Sequence, residues 1–315
     1  MDCKPSLKSA LPAKSSAAPM QNVAVFEWAQ LGEYWELTKP RLSLLSVITA
    51  MVGYLVANPE RNVTVLLSLL LGTSLAAGAA GALNQWMERE LDQRMARTRN
   101  RPIPSSAVSA PAALMFGCAL ALLGVAVLWL NVNELAAVLT IVTLVAYLAI
   151  YTPLKQKTHW CTLVGAFPGA IPPLIGWSAA SAKIEPLGWV LFGIIFFWQI
   201  PHFMAIAWNF RKDYSAAGFV MSTHIDPTGN KAALQSILHC LLLLVVSVIP
   251  FFIAGATTLF YEILALVAGG FYFKAALHFR QADFKDAPAR KLFLASIIYL
   301  PLILAVLLVD RWWFI

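Results

Sequence analysis

The chain has 315 residues, of which 59% are hydrophobic and only 12% are charged. In an average soluble domain about a quarter of the residues are charged. The composition therefore excludes soluble enzymes, nucleic-acid-binding modules and disulfide scaffolds, and it indicates an integral membrane protein. The net charge of +7 does not indicate a nucleic-acid partner, because the basic residues follow the predicted membrane topology described below.

Residues 1–22 are rich in Ser, Ala, Pro and Lys and lack apolar periodicity. They contain no apolar core of the kind found in signal peptides. We predict that they form a disordered tail and that residues 23–315 form a single polytopic domain. An aromatic-rich stretch around Trp28 and Trp35 opens this domain and is interpreted as a short interfacial helix.

Nine stretches are apolar and are long enough, or nearly so, to cross a bilayer as helices of about 20 residues. They lie near residues 42–57, 63–87, 108–130, 135–151, 162–180, 187–208, 232–254, 259–277 and 292–309. Short and long connections alternate between them, so all the long connections fall on one side of the membrane. The sequence thus predicts an all-α membrane protein of nine transmembrane helices.

The basic residues predict the orientation of these helices. Of the 23 Lys and Arg residues, 19 lie in the N-terminal segment and the long connections, and three lie on the opposite side. This bias predicts a cytoplasmic N-terminus and a periplasmic C-terminus. A bacterial inner membrane is favoured because the tail is short and lacks arginine; the mitochondrial inner membrane is the alternative.

The most informative segment begins near the end of the second predicted span. Asn84, Glu88 and Asp92 are spaced by four residues, and each step of four rotates a helix by only about 40°, so they share one face. Oxygen ligands of this kind favour Mg²⁺ together with substrate phosphates, and we predict a metal site here with Glu88 and Asp92 also catalytic. Arg97 and Arg101 follow and are expected to bind phosphate oxygens. The alternative is a helix end whose charged side chains reach the lipid headgroups.

Two further segments lie on the same predicted side. In the first, His202, Asn209 and Asp213 are spaced to share one helical face, which makes Asp213 a candidate ligand of a second cation and a catalytic candidate. His202 has three open interpretations: a proton acceptor, a contact of a porphyrin iron, or a core histidine bonded to a carbonyl. In the second segment, Tyr151 and Lys155 are candidates to complete the anion site, against the alternative of a solvated basic loop.

Together these segments resemble the UbiA superfamily of intramembrane prenyltransferases. The matching stretches are 38–41, 84–98, 151–155, 169–177, 198–203, 213–218 and 296–301. The Pro-His-Phe segment at 201–203 and the Asp-Tyr pair at 213–214 are similar to the haem-farnesylating branch. Two positions depart from the superfamily pattern: Glu88 replaces an Asp, and Ala217 replaces the second Asp of a DxxxD motif, which leaves the number of Mg²⁺ ions open.

The resemblance implies a nine-helix bundle around a central cavity, with the active site and Mg²⁺ at its cytoplasmic face. It implies that farnesyl diphosphate donates its farnesyl group to a vinyl group of haem B, with addition of water, to give haem O and diphosphate for haem-copper oxidases. Its diphosphate-binding residues would be Arg97, Arg101, Lys155, Lys212, Tyr214 and Tyr151, and His202 would face the porphyrin. Association with haem A synthase or oxidase assembly factors is a further expectation.

Three alternatives stay open. A related transferase acting on a quinone precursor or chlorophyllide would need a cationic clamp for an acceptor carboxylate, which Lys39 or Arg41 would supply. A transporter would need a path through both faces, whereas the outer connections are short and carry hardly any charge. A purely structural membrane subunit would not need the carboxylate stripe followed by arginines.

Overall fold

The computed structural model describes residues 28–57 and 62–314, and the predicted N-terminal tail lies outside these residues. Most of the described residues are helical, and no strand occurs among them. The α-helices are α1 (Trp28–Leu37), α2 (Pro40–Ala57), α3 (Val63–Asp92), α4 (Ala110–Asn131), α5 (Glu134–Val145), α6 (Thr152–Leu154), α7 (Cys161–Ala170), α8 (Pro172–Ser181), α9 (Pro186–Asn209), α10 (Arg211–Ala217), α11 (Ser222–Ile225), α12 (Asn230–Val248), α13 (Leu259–Gln281) and α14 (Asp286–Trp313). A π-helical turn (Ala146–Tyr151) joins α5 to α6, and a 3₁₀ turn (Ile249–Phe252) follows α12.

Nine helical segments within the described ranges are long and apolar enough to cross a membrane, as the sequence predicts. Two of them are interrupted. The fourth continues from α5 through the π-helical turn, and the fifth breaks at Ile171, where Pro172 starts α8. Proline suits the first turn of a helix because its missing N–H would have no partner there. The helix α3 extends to Asp92, beyond the predicted end at residue 87. The row formed by Asn84, Glu88 and Asp92, which we call the acidic stripe, is therefore helical throughout.

The helices pack as two adjoining groups. In the first, α3 packs along α4, while α2 lies between α3 and α8. In the second, α9 is the central helix and contacts α12, α14 and α7. The main apolar core surrounds α9 and includes Trp198, Met204, Tyr272 and Tyr299. Lipid-facing residues remain exposed on the outer helices, as expected for a bundle that buries its interior and presents apolar side chains to the bilayer.

The helices α2 and α8 approach so closely that they need glycine at their contact. A Cβ atom at Gly176 would lie 1.7 Å from the carbonyl oxygen of Ala50. We therefore expect Gly176→Ala to force the helices apart and to destabilise the protein by roughly 3 kcal/mol, the upper range for overpacking. Thermal unfolding in detergent measures this effect. Gly270→Ala is the matched control, because a Cβ there meets nothing within 4 Å, and an equal loss in both variants would contradict the prediction.

At the end of the bundle opposite the acidic stripe, a buried carboxylate joins the last two long helices. Asp310 of α14 is fully buried and accepts hydrogen bonds from the backbone N–H and the hydroxyl of Thr258. Thr258 is the N-cap of α13, so Asp310 satisfies polar groups at the start of that helix. The neighbouring Arg311 donates to the carbonyl of Gly255 at 2.6 Å. These contacts explain the buried Asp310 carboxylate by a structural role at the start of α13.

Candidate active site

The acidic stripe forms the floor of a polar cluster at the end of α3. Asn84, Glu88 and Asp92 are 1%, 5% and 0% exposed, so all three turn inward from the same helix. Burial of two carboxylates is unfavourable unless cations and hydrogen-bond donors compensate their charge. The structure supplies one basic side chain to each of the three residues, and each comes from a different segment of the chain.

Three cations contact the stripe directly. The Nζ atom of Lys39 donates to Oδ1 of Asn84 at 2.5 Å, and Nζ of Lys155 donates to Oε1 of Glu88 at 2.8 Å. One guanidinium nitrogen of Arg101 donates to both carboxylate oxygens of Asp92, at 2.8 and 2.7 Å. Charge-assisted bonds of this length are among the stronger hydrogen bonds in proteins. We call Lys39, Asn84, Glu88, Asp92, Arg101 and Lys155 the polar cluster.

Lys39 reaches the cluster from a strained corner between α1 and α2. Its φ angle is +49°, in the left-handed region that non-glycine residues rarely adopt, and Pro40 follows it. Such a conformation costs about 1–3 kcal/mol and persists only where its surroundings enforce it. The corner is docked on α3, where Nε2 of Gln85 donates to the carbonyl of Leu37 at 3.0 Å. A Cβ atom at Gly81 would lie 2.8 Å from the carbonyl oxygen of Thr38, so glycine is needed for this approach.

The two lysines of the cluster differ in basicity. Burial, followed by the charge of Arg101, lowers the pKa of Lys39 to about 7. Burial also acts to lower the pKa of Lys155, but Tyr151 and the Glu88 carboxylate outweigh it, and the net pKa of Lys155 is raised. The surroundings therefore favour the protonated form of Lys155, whereas burial favours the neutral form of Lys39. An anion placed beside Lys39 would favour its protonated form.

The π-helical turn forms one side of the cluster. Nζ of Lys155 lies 4.7 Å from the centre of the Tyr151 ring, a cation–π distance. Nδ2 of Asn84 donates to the hydroxyl of Thr152 at 3.3 Å, and that hydroxyl donates to the carbonyl of Tyr147 at 2.9 Å. Wide π-helical turns occur frequently at functional sites. Here the turn brings an aromatic ring and a hydroxyl to the acidic stripe.

The segment after α9 lies against the same end of the bundle. The backbone N–H of Val220 donates to the carbonyl of Lys155 at 2.9 Å. Met95, Phe219 and Met221 belong to a buried apolar cluster that also includes Cys161, Ala207 and Ala217. The guanidinium of Arg97 lies 5.2 Å from the centre of the Phe210 ring. The three segments that the sequence singles out therefore converge at one end of the fold.

The predicted common face is wrong for Asp213, whereas His202 and Asn209 lie seven residues apart in α9 and keep it. The helix α9 ends at Asn209, and α10 begins at Arg211 after Phe210 leaves the helical conformation, with φ −110° and ψ 22°. The continuous helix that the spacing assumes does not exist.

Four candidate residues make no polar contact with the cluster. Lys212 is exposed and Asp213 is half-buried, and neither forms a hydrogen bond or ion pair with another described residue. Tyr214 packs its ring edge-on against Phe219, and Arg97 is exposed over Phe210.

His202 lies in α9 between two aromatic rings. Its ring stacks on Trp198 at 5.2 Å and on Phe293 at 5.1 Å between ring centres. Nδ1 lies 2.7 Å from the hydroxyl of Ser296, and the ring is partly exposed. The interpretation of a core histidine bonded to a carbonyl is therefore wrong for this ring, because its partner is a hydroxyl.

The sequence analysis missed two contributors to the cluster. It assigned Lys39 only to an alternative acceptor clamp, and it gave Thr152 no role. A signal for Lys39 was present, since a basic residue immediately before Pro40 stands at the start of a span on the side that carries the long loops. Thr152 had no such signal, because only the fold brings it to Asn84.

The helical arrangement has counterparts among solved structures. It superposes on digeranylgeranylglyceryl phosphate synthase with a TM-score of 0.77 and 17% identity, over 90% of this chain and 99% of the other. It superposes on a UbiA homologue from Archaeoglobus fulgidus bound to DMAPP and Mg²⁺ with a TM-score of 0.67 and 14% identity, over 87% and 99% of the two chains. The fold therefore defines the class: a multi-pass membrane protein with the UbiA architecture.

The chain belongs to the UbiA prenyltransferase family, whose family model matches residues 46–297. Its relatives include a protein from Opitutus terrae named protoheme IX farnesyltransferase, which is 49% identical over 90% of this chain and 96% of the relative. A protein of the same name from Solibacter usitatus is 40% identical over 89% of this chain and 98% of the relative. This chain is accordingly a prenyltransferase.

Proposed function

We propose that this protein transfers the farnesyl group of farnesyl diphosphate to a vinyl group of haem B, with addition of water, and so produces haem O and diphosphate. The observation that carries the proposal is the 49% identity, over nearly the full length of both chains, to a protein named protoheme IX farnesyltransferase. The buried polar cluster supports the diphosphate half of the reaction, since it concentrates cationic donors beside oxygen ligands at one end of an apolar bundle.

We propose that Asn84, Glu88 and Asp92 hold Mg²⁺ together with the diphosphate. Their oxygen atoms match the ligand preference of this ion. In residues 28–57 and 62–314 no three His, Cys, Asp or Glu side chains are grouped so that they could hold a metal; in this proposal Asn84 and oxygen atoms of the diphosphate would complete the coordination shell. When bound, the metal neutralises charge on the diphosphate. Asp213 of α10 is half-buried and would serve a second ion.

The side chains of this protein suit a dissociative transfer. Lys155 uses one of its three donor hydrogens on Glu88, and Arg101 uses one of its nitrogens on Asp92, so both retain donors for phosphate oxygens. With Lys39 they would stabilise the negative charge that develops on diphosphate as the C1–O bond breaks. The departing diphosphate keeps the electron pair. Arg97, Lys212, Tyr214 and Tyr151 would complete the diphosphate site.

The farnesyl group is transferred to the haem vinyl group in an environment that excludes bulk water. The allylic cation at C1 of the farnesyl group is attacked by the terminal carbon of the haem vinyl group, which forms the new C–C bond and moves the positive charge onto the vinyl carbon next to the ring. Water adds there as hydroxyl and releases one proton. Burial among apolar helices protects the first cation from premature hydrolysis. His202 would face the porphyrin during this step.

We propose that the polar cluster faces the cytoplasm of a bacterium and that the C-terminus is periplasmic. The excess of basic residues in the long connections supports this orientation. Because the farnesyl chain makes haem O more hydrophobic than haem B, we expect it to pass within the membrane to an acceptor such as haem A synthase or an oxidase assembly factor.

Purified protein in detergent tests the proposed function. We expect incubation with haem B, farnesyl diphosphate and Mg²⁺ to yield a haem whose mass has increased by one farnesyl group and one hydroxyl group, and EDTA to abolish the product. Mass spectrometry of extracted haem measures both results. Transfer to a quinone precursor or chlorophyllide instead of haem would retain the prenyltransferase assignment and overturn the acceptor. Unaltered transfer in EDTA would overturn the metal assignment.

A further inference from the structure

The ring of His202 is fixed in three directions by neighbouring side chains. Trp198 precedes it by one turn of α9, and Phe293 comes from α14; both rings stack with it, with interplanar angles of 23° and 26°. The hydroxyl of Ser296 holds its Nδ1 edge at 2.7 Å. Because these three contacts hold the orientation of the ring, they also hold the direction of the remaining nitrogen, Nε2.

The hydrogen bonds of Ser296 determine which nitrogen of His202 carries the proton. The serine hydroxyl has a single hydrogen, and its oxygen lies 2.5 Å from the carbonyl oxygen of Phe293. Two oxygen atoms approach this closely only when a hydrogen lies between them, so the serine hydrogen points at Phe293. The serine oxygen must therefore accept from His202, which places the histidine proton on Nδ1. The neutral ring then carries its lone pair on Nε2.

The serine is itself held rigidly, which makes it a reliable acceptor. Ser296 is fully buried, and its backbone carbonyl accepts a hydrogen bond from Nε1 of Trp198 at 2.8 Å. The hydroxyl of Tyr272 donates to the carbonyl of Trp198 at 3.1 Å and braces the same turn. Ser296 therefore contacts both His202 and one of the aromatic rings that stack on it. The Nε2 atom of His202, by contrast, has no hydrogen-bond partner among the described residues, and the ring is partly exposed.

We propose that Ser296 is a positioning residue that fixes His202 as the Nδ1–H tautomer, so that Nε2 is presented as a ligand for the iron of the haem substrate. Histidines that bind metals usually donate the hydrogen of their other nitrogen to a neighbouring oxygen, which orients the ring and increases its basicity. The chain from His202 through Ser296 to the Phe293 carbonyl is such an arrangement. The inference rests on the proposed function, because it takes haem as the substrate.

Haem titration in the absence of farnesyl diphosphate tests this role. Ferric haem B is added to the full-length protein in detergent, and the Soret band and the dissociation constant are recorded. We expect the spectrum of a nitrogen-ligated haem for the wild type and its loss in His202→Ala, with recovery when imidazole is added. For Ser296→Ala we expect haem affinity to fall by about 10–100-fold, the usual effect of losing such a supporting contact. Its KM for farnesyl diphosphate should remain unchanged.

Two further variants separate positioning from packing. Ser178→Ala is the matched control, because Ser178 is also fully buried and its hydroxyl donates to the carbonyl three residues earlier, at Ile175, without contacting a histidine. It should bind haem as the wild type does. Ser296→Thr retains the hydroxyl and should restore most of the affinity. Equal haem affinities in the two alanine variants would overturn the role of Ser296.

The outcomes also distinguish this inference from the proposed function. Farnesylated haem from the wild type, combined with an unchanged haem spectrum in His202→Ala and in Ser296→Ala, would overturn the inference alone. A wild-type protein that neither binds nor modifies haem would overturn the inference and the proposed function together.

Discussion

Replacement of Asp92 by Asn is expected to lower the rate of prenyl transfer by about 1000-fold, comparable with the loss of a central electrostatic group from an active site. The amide has almost the same shape as the carboxylate but no charge. Asp92 is fully buried and accepts two hydrogen bonds from one nitrogen of Arg101. The substitution therefore removes charge from the proposed metal and diphosphate site while leaving the packing of α3 intact.

The control for this substitution lies two residues away. Glu90 is exposed, and among the described residues its carboxylate pairs only with its neighbour Arg89, at 3.5 Å. We expect Glu90→Gln to retain full activity, because exposed ion pairs contribute little. Initial rates at saturating Mg²⁺ and thermal unfolding of both variants provide the comparison. Full activity of a folded Asp92→Asn variant would refute the assignment of Asp92 to the reaction.

Replacement of Lys155 by Met is expected to reduce kcat at least 100-fold, since one cation in a site poor in water stabilises developing charge strongly. Lys155 is the only described basic side chain that pairs with Glu88, and its side chain is 12% exposed. Methionine retains the length and apolar stem of lysine without its charge. The variant should also unfold at lower temperature, because breaking a buried ion pair leaves an uncompensated carboxylate.

Lys157 is exposed in the same connection and provides the matched control. It distinguishes the effect of the Lys155 charge from the effect of any basic residue in this loop. Lys157→Met should retain wild-type kcat. We further expect the double variant Lys155→Met/Glu88→Gln to lose less activity than the two single losses, added as free energies, predict. The reason is that the double variant has no unpaired carboxylate. Strict additivity in this double-mutant cycle would argue against direct coupling of the two residues.

The local features of this protein could be predicted from the sequence, since they depend on residues that are close along the chain. Apolar length predicted the nine spans, and the spacing of Asn84, Glu88 and Asp92 predicted a common face that the structure buries. The prediction failed for Asp213 because a single residue, Phe210, interrupts the helix. Neither Gly nor Pro occurs at this break, so no helix-breaking residue in the sequence predicts it.

Partners that are distant along the chain could not be deduced in the same way. Lys39 meets Asn84 across 45 residues, and Lys155 meets Glu88 across 67. Hydrophobic periodicity indicates which face of a helix is buried but not which neighbour covers it. The contact between His202 and Ser296 spans 94 residues and depends on the packing of α9 against α14.

The order of the contacts along the chain has a consequence for biosynthesis. All residues of the polar cluster have been synthesised once Lys155 leaves the ribosome, whereas the surroundings of His202 need Phe293 and Ser296 from the final helix. At 5–20 residues per second this interval lasts about 7–28 seconds. A nascent chain inserted in the membrane can thus assemble the cluster well before α14 arrives, and a truncated product lacking α14 would retain the cluster but lose the aromatic and hydroxyl contacts of His202.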